Sequence, residues 1–256
     1  CIRDRPTGES YLDIYFARIS STNTLVDVKT FKEIPATEFH KSTPYYSTKL
    51  STFFYILSNT EDGELRYDEN GKNALAIGTL SDNGRFRFIL KDLSTSFYYP
   101  FFDDNTERLY FAANFDDSYG GTDLYYVYTN NGQIMSAPIN LGPRINSPGN
   151  EIAPYIYEGS LYFSSDVFYG LGGMDVYKSN ILANETYTIP VNLGEGINSV
   201  SDDFGFIIQK AKEGNGLSGF FASNRKGGKG GDDLYGFMLD KSPGLKTFAL
   251  GGKVVN

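Results

Sequence analysis

The chain is poor in the residues from which many catalytic and metal centres are built. Among its 256 residues it has one cysteine, one histidine and no tryptophan. A single cysteine, Cys1, allows no disulfide within the chain, and a zinc centre of Cys and His ligands is excluded. A Ser-His-Asp triad would need His40, which lies in the polar stretch ATEFHKSTP, and no G-x-S-x-G motif is present. We therefore interpret His40 as an ordinary loop residue and expect no metal and no cofactor.

Long helical and long apolar segments are also missing. No helix-length run has apolar residues at i, i+3, i+4 and i+7, so long amphipathic helices are not expected. No apolar stretch approaches the roughly 20 residues that cross a bilayer, so no transmembrane segment is predicted. What the chain does have is 28 Gly, 20 Tyr and 20 Phe, a composition that favours many short strands joined by tight turns.

The charge balance bears on possible partners. The net charge of −8 argues against nucleic acid, because phosphates need a basic face. One basic stretch, SNRKGGKGG at 223–231, is interpreted either as a solvated glycine-rich turn or as a contact for an acidic partner or a glycan carboxylate.

An internal repeat dominates the sequence. RLYFAAN at 108–114 recurs as SLYFSSD at 160–166, and GGTDLY at 120–125 recurs as GGMDVY at 172–177, both 52 residues later. NLG and the INS triplet repeat at the same spacing, and GFFASN with GGDDLY forms a further copy 58 residues on. Weaker copies lie upstream, and SYLDIYFARI at 10–19 matches only the end of a unit. A sequence feature that recurs this many times indicates a structural unit of a repeat fold.

Each unit reads as four strands separated by Gly-, Asn- and Asp-rich turns. In the clearest unit the predicted strands are 152–158, 160–166, 174–180 and 185–194. Units of this length predict an all-β chain folded as a β-propeller of four-stranded blades, with five or six blades. The predicted boundaries are an incomplete first blade at 1–36, further blades at about 37–96, 97–149, 150–201 and 202–240, and a linker with the start of a following β-domain at 241–256.

The repeated positions are assigned structural roles. We expect the glycine pair to permit a positive-φ turn before the third strand, the aspartates to accept backbone N–H bonds in the neighbouring turn, and the tyrosines to fill the space between blades. The residues in this structural set are Asp13, Asp123, Asp175, Asp233, Tyr15, Tyr125, Tyr177 and Tyr235.

The series YPFF, LYFAAN, GGTDLY, NLGPRINSPGNEIAPYI and GFFASNRKGGKGGDDLYGF resembles the TolB-like propeller repeats of Bacteroidetes envelope proteins, more narrowly PorE-type OmpA-family lipoproteins. The resemblance implies a non-catalytic scaffold in the periplasm, associated with the outer membrane and with type IX secretion or gliding. It implies an outer-membrane β-barrel of the PorP/SprF type as partner, and peptidoglycan bound through a domain absent from this chain. It also leaves Cys1 open between a lipidated mature N-terminus and the start of a fragment.

Two other functions stay open. A propeller glycoside hydrolase needs two carboxyl groups roughly 5–10 Å apart, and Glu151 and Asp203 enter the innermost strands of consecutive blades; their equivalence by repetition favours a structural role instead. A glycan- or ligand-binding propeller would use loops that vary between units, with Phe168, Tyr169, Arg225 and Lys226 as the candidate contacts. The acidic loop NFDDSYGGTD at 114–123 is a weaker candidate for a cation.

Overall fold

The computed structural model describes residues 12–22, 24–34, 39–68, 71–211 and 216–239. Every regular element in this part of the chain is a β-strand, and it contains no helix able to cross a membrane. The strands form successive antiparallel sheets in a β-propeller arrangement, so the predicted fold class is confirmed. The predictions for Cys1 and for residues 241–256 lie outside the described residues, and the domain boundaries stay predictions.

The sheets are named blades 1 to 5 in chain order. Blade 1 consists of two strands, β1 (Tyr15–Ile19) and β2 (Leu25–Thr30). Blade 2 consists of β3 (Lys41–Ser47), β4 (Thr52–Ser58), β7 (Leu75–Ser81) and β8 (Phe86–Leu90), with the small hairpin β5 (Thr60–Glu61) and β6 (Glu64–Leu65) between β4 and β7. Blade 3 consists of β9 (Tyr98–Asp103), β10 (Arg108–Ala113) and β11 (Asp123–Asn130), with β12 (Gln133–Ile134) and β13 (Ile139–Asn140) both paired to β11. Blade 4 consists of β14 (Glu151–Tyr157), β15 (Ser160–Ser165), β16 (Asp175–Asn180) and β17 (Val191–Asn192). Blade 5 consists of β18 (Asp203–Lys210), β19 (Leu217–Ser223) and β20 (Asp233–Leu239).

The outermost strand of blade 4 is shorter than the sequence predicts. Of the predicted segment 185–194, only β17 pairs with β16, and Tyr187 forms an isolated bridge with Ile181. Pro190 directly precedes β17 and has no N–H to give to the ladder, which limits the strand on that side.

Aromatic and aliphatic side chains fill the spaces between consecutive blades. Phe54 of blade 2 and Phe102 of blade 3 are fully buried, and their rings stack with centroids 4.9 Å apart. Tyr162 of blade 4 stacks on Phe206 of blade 5 at 5.1 Å. Such ring pairs add about 0.5–1.5 kcal/mol beyond the burial of their area. A blade is therefore stabilised chiefly by its neighbours, as a repeat architecture requires.

The last described blade has one uncovered face. Leu234 and Met238 of β20 are 64% and 57% exposed, whereas Leu124 and Val176, at the position of Leu234 in blades 3 and 4, are fully buried. The burial of β20 alternates strictly along the strand, as in a strand with one face on the core and one on solvent.

The innermost strand of each of blades 2 to 5 carries a bulge. The pairing register shifts between Ile152 and Tyr155 in β14, and at the corresponding point of β3, β9 and β18. The residues at these bulges have positive φ values, and they are Thr43 (46°), Tyr99 (49°), Ala153 (54°) and Gly205 (65°). A β-bulge bends its strand and increases the local twist, so one device recurs at the centre of the ring.

Candidate functional site

The repeated aspartates hold the loop between the second and third strands of their blades. Asp175 accepts hydrogen bonds from the backbone N–H groups of Leu171 (2.6 Å) and Gly172 (3.1 Å). Asp123 and Asp233 accept equivalent bonds within their own loops. Asp13 differs, because it forms an ion pair with Lys41 at 3.1 Å. Asp123, Asp175 and Asp233 thus hold the backbone of their loops in place.

The burial of the repeated tyrosines depends on the blade that carries them. Tyr125 and Tyr177 are buried between blades, and Tyr235 is half-buried in blade 5. Tyr15 is 60% exposed in the two-stranded blade 1. Ring burial therefore depends on a neighbouring blade.

The glycine pairs serve close packing, which corrects the expected role. None of these glycines has a positive φ. A Cβ on Gly120 would lie 2.2 Å from the Pro148 carbonyl, and one on Gly172 would lie 2.1 Å from the Ser201 carbonyl oxygen. At the equivalent Gly230, in the last described blade, the nearest atom would be 3.7 Å away. Glycine is needed where the loop packs so closely on the segment leading into the next blade that a Cβ atom would clash with its backbone.

The carboxylates weighed as a catalytic pair are both fully buried. Glu151 accepts hydrogen bonds from the hydroxyl groups of Ser147 (2.5 Å) and Ser165 (2.6 Å). Burial raises the pKa of its carboxyl, although the serine bonds act in the opposite direction. Asp203 contacts the Arg225 guanidinium at 2.5 Å. Neither carboxylate reaches solvent in this conformation.

No described group of three or more His, Cys, Asp or Glu side chains is arranged to hold a metal. In the loop 114–123, Asp117 instead accepts a hydrogen bond from the Tyr125 hydroxyl at 2.9 Å, and Asp123 is bonded to the loop backbone. One oxygen of Asp123 and one of Asp175 are buried without a hydrogen-bond partner.

The four candidate contacts separate into two pairs. Phe168 packs against Phe163 and Tyr177, and Arg225 is engaged by Asp203, so both are built into the fold. Tyr169 and Lys226 project from the loops, and Tyr169 is 97% exposed.

We use the name loop face for the end of the propeller that carries the loops 114–122, 166–174 and 224–232. Tyr119 and Leu171 occupy equivalent positions on it, and both side chains are exposed although their backbone N–H groups are held by the repeated aspartates. The carboxylate of Asp116 is exposed on the same face. The loop face thus combines exposed rings, apolar side chains and a carboxylate on a fixed backbone.

No protein-family model matches the chain, and no curated protein matches it significantly. An α-L-arabinofuranosidase from Lactobacillus brevis superposes with a TM-score of 0.48 and 12% identity, covering 89% of this chain and 83% of the enzyme. An endo-arabinase from Bacteroides thetaiotaomicron superposes with a TM-score of 0.48 and 11% identity, covering 91% of this chain and 94% of the enzyme. An exo-β-1,3-galactanase from Clostridium thermocellum superposes with a TM-score of 0.48 and 14% identity, covering 94% of this chain and 61% of the enzyme.

These matches correct several expectations from the sequence. The similar solved structures are glycoside hydrolases, so the assignment to TolB-like, PorE-type OmpA-family lipoproteins of type IX secretion is wrong. The non-catalytic scaffold function and the prediction that the chain is not an enzyme are corrected on the same finding. The periplasmic location and the PorP/SprF-type and peptidoglycan partners stay predictions. At this level of similarity the superpositions assign no role to any residue of this chain.

Proposed function

We propose that this propeller binds carbohydrate on the loop face, with Tyr169 as the principal contact. The single observation that carries the proposal is the state of Tyr169. Its side chain is 97% exposed and forms no hydrogen bond or ring contact with a described residue, yet it lies two residues before Leu171, whose N–H is fixed by Asp175. Tyrosine offers a rigid amphipathic surface at low entropic cost, which suits stacking against the apolar face of a sugar ring.

The fixed loop backbone supports this function. Asp175 holds two successive N–H groups of the Tyr169 loop, and Gly172 lets that loop pack tightly on the chain near Ser201. A preorganised loop loses little conformational freedom when a ligand binds. A hydroxyl-rich ligand would also find the exposed Asp116 carboxylate as a hydrogen-bond acceptor on this face.

Glycoside hydrolysis is the second candidate, and one observation favours it. Burial raises the pKa of the Glu151 carboxyl, which is the property a general acid requires. The carboxyl is closed off by Ser147 and Ser165, so hydrolysis would require these contacts to open.

One experiment tests both candidates. Arabino- and galacto-oligosaccharides are titrated into the protein by calorimetry, and released sugar is measured by chromatography in parallel. Binding that is lost in Tyr169→Ala and retained in Tyr15→Ala, an exposed tyrosine in another blade, supports the proposal. Binding that is equal in both variants contradicts it. Sugar release that Glu151→Gln abolishes would establish hydrolysis.

A further inference from the structure

A groove of about 470 Å³ lies between blade 2 and the β11–β12 turn of blade 3. Blade 2 contributes side chains of β4, β7 and β8, and blade 3 contributes residues 131–134. This volume falls within the usual range of small-molecule sites. The groove lies at the end of the third strands opposite to the loop face, because β11 begins at the loop 114–122 and ends at this turn.

The charge of the groove contrasts with that of the chain. Its lining includes Arg85 and Arg87 and no aspartate or glutamate, although the chain has 31 acidic and 23 basic residues. Neither guanidinium forms a hydrogen bond or an ion pair with a described residue. Arg66 and Arg108, by comparison, each pair with a glutamate.

The two arginines are placed to act together. Arg87 lies in β8, Arg85 directly precedes that strand, and both residues line the groove. The backbone carbonyl of Arg85 accepts a bond from the N–H of Ser81 at 3.1 Å, which anchors the hairpin that carries both. Two planar guanidinium groups at one site suit bidentate binding of a carboxylate.

The facing wall is also preformed. The N–H of Asn131 donates to a Glu107 carboxylate oxygen at 3.1 Å, and Glu107 is itself paired with Lys49 at 2.7 Å. A Cβ on Gly132 would lie 3.0 Å from the Leu50 side chain, so the turn is packed against blade 2. The carboxylate of Glu107 is therefore already neutralised by Lys49 and does not compete for the arginines.

The rest of the lining indicates the kind of ligand. Hydroxyl and amide groups, including those of Thr52, Thr79 and Gln133, lie beside apolar surface from Phe88 and Ile134. This mixture suits a molecule with hydroxyl groups and an apolar ring face in addition to its negative charge. We propose that the groove binds a small hydroxylated carboxylic acid of the sugar-acid class, with its carboxylate between Arg85 and Arg87.

The test uses galacturonic acid as the ligand and galactose as its uncharged counterpart, both titrated into the whole chain by calorimetry. The double variant Arg85→Gln with Arg87→Gln removes the charge and keeps most of each side chain. The double variant Arg18→Gln with Arg66→Gln removes the same charge elsewhere and serves as the matched control. Thermal unfolding verifies that both variants fold.

We expect galacturonic acid to bind the wild type and the control equally, and the Arg85/Arg87 variant at least about tenfold more weakly, which corresponds to about 1.4 kcal/mol. Added salt should weaken the binding, and Tyr169→Ala should leave it unchanged, because the loop face is a different site. The proposal would be overturned if galacturonic acid bound the wild type and the Arg85/Arg87 variant equally, or if galactose bound the wild type as tightly as galacturonic acid. It would also be overturned if the wild type bound inorganic phosphate but not galacturonic acid.

Discussion

Arg225 holds the fully buried carboxylate of Asp203 at 2.5 Å, and its guanidinium also lies over the rings of Phe221 and Tyr235. At the equivalent position of blade 4, Glu151 is held by two serine hydroxyl groups instead. Arg225, the first cation of the basic stretch 223–231, thus belongs to the packing of blade 5. Only Lys226 and Lys229 remain exposed as cations of that stretch.

The first prediction concerns this ion pair. Arg225→Ala leaves Asp203 buried without its partner, and breaking a buried pair by removing one member typically costs about 3–5 kcal/mol. We expect a loss of that order in the free energy of unfolding measured in urea. Lys226→Ala changes the adjacent, exposed cation and should stay within about 0.5 kcal/mol of wild type. Equally small effects of the two substitutions would show that the pair does not stabilise the blade.

The second prediction concerns the pH dependence of stability. Burial raises the pKa of the Glu151 carboxyl above its ordinary value of 4.5. A carboxyl with a higher pKa in the folded protein favours folding while it is protonated, and this contribution is lost as the pH rises through the folded pKa. Wild type should therefore lose stability relative to Glu151→Gln as the pH rises from 4.5 towards neutrality.

The measurement is urea unfolding of both proteins across that pH range. Glu158→Gln, at an exposed glutamate in the same blade, is the matched control for the removal of one carboxylate. A difference between wild type and Glu151→Gln that stays constant would contradict the account of Glu151.

The third prediction concerns the glycine pairs. In Gly172→Ala the new Cβ would lie 2.1 Å from the Ser201 carbonyl oxygen, so the backbone must shift, and overpacking of this kind costs about 1–3 kcal/mol. Gly231→Ala places a methyl group where no atom lies within 4 Å, and we expect a change within about 0.5 kcal/mol. The measurement is thermal unfolding of the two variants, in which Gly172→Ala should have the lower midpoint. Equal midpoints would contradict a requirement for glycine at the contact between blades.

Much of the fold is visible in the sequence because it is repeated. The 52-residue offset that relates GGTDLY to GGMDVY marks equivalent strands, and β11 and β16 occupy equivalent places in blades 3 and 4. The inner-strand bulges could not be predicted, because Thr43, Tyr99 and Ala153 have positive φ without the usual glycine signal. Their conformation is imposed by the pairing of the whole blade.

The site was harder to predict than the fold. The loop sequence alone does not distinguish Phe168, which packs against the core between blades, from its exposed neighbour Tyr169. The groove of Arg85 and Arg87 could not be predicted from the sequence, because its walls come from blades 2 and 3. The second wall is formed by the turn at 131–134, and no local sequence pattern predicts that this turn lies opposite the arginines.

The most direct test of the carbohydrate proposal compares three proteins: wild type, Tyr169→Phe and Tyr169→Ala. Their affinities are measured by calorimetry for the oligosaccharide of the arabino- and galacto- series that wild type binds most tightly. We expect Tyr169→Phe, which keeps the aromatic ring, to bind nearly as well as wild type, and Tyr169→Ala to bind at least about tenfold more weakly. Equal affinity of all three proteins, or no binding by wild type, would contradict a carbohydrate site on the loop face.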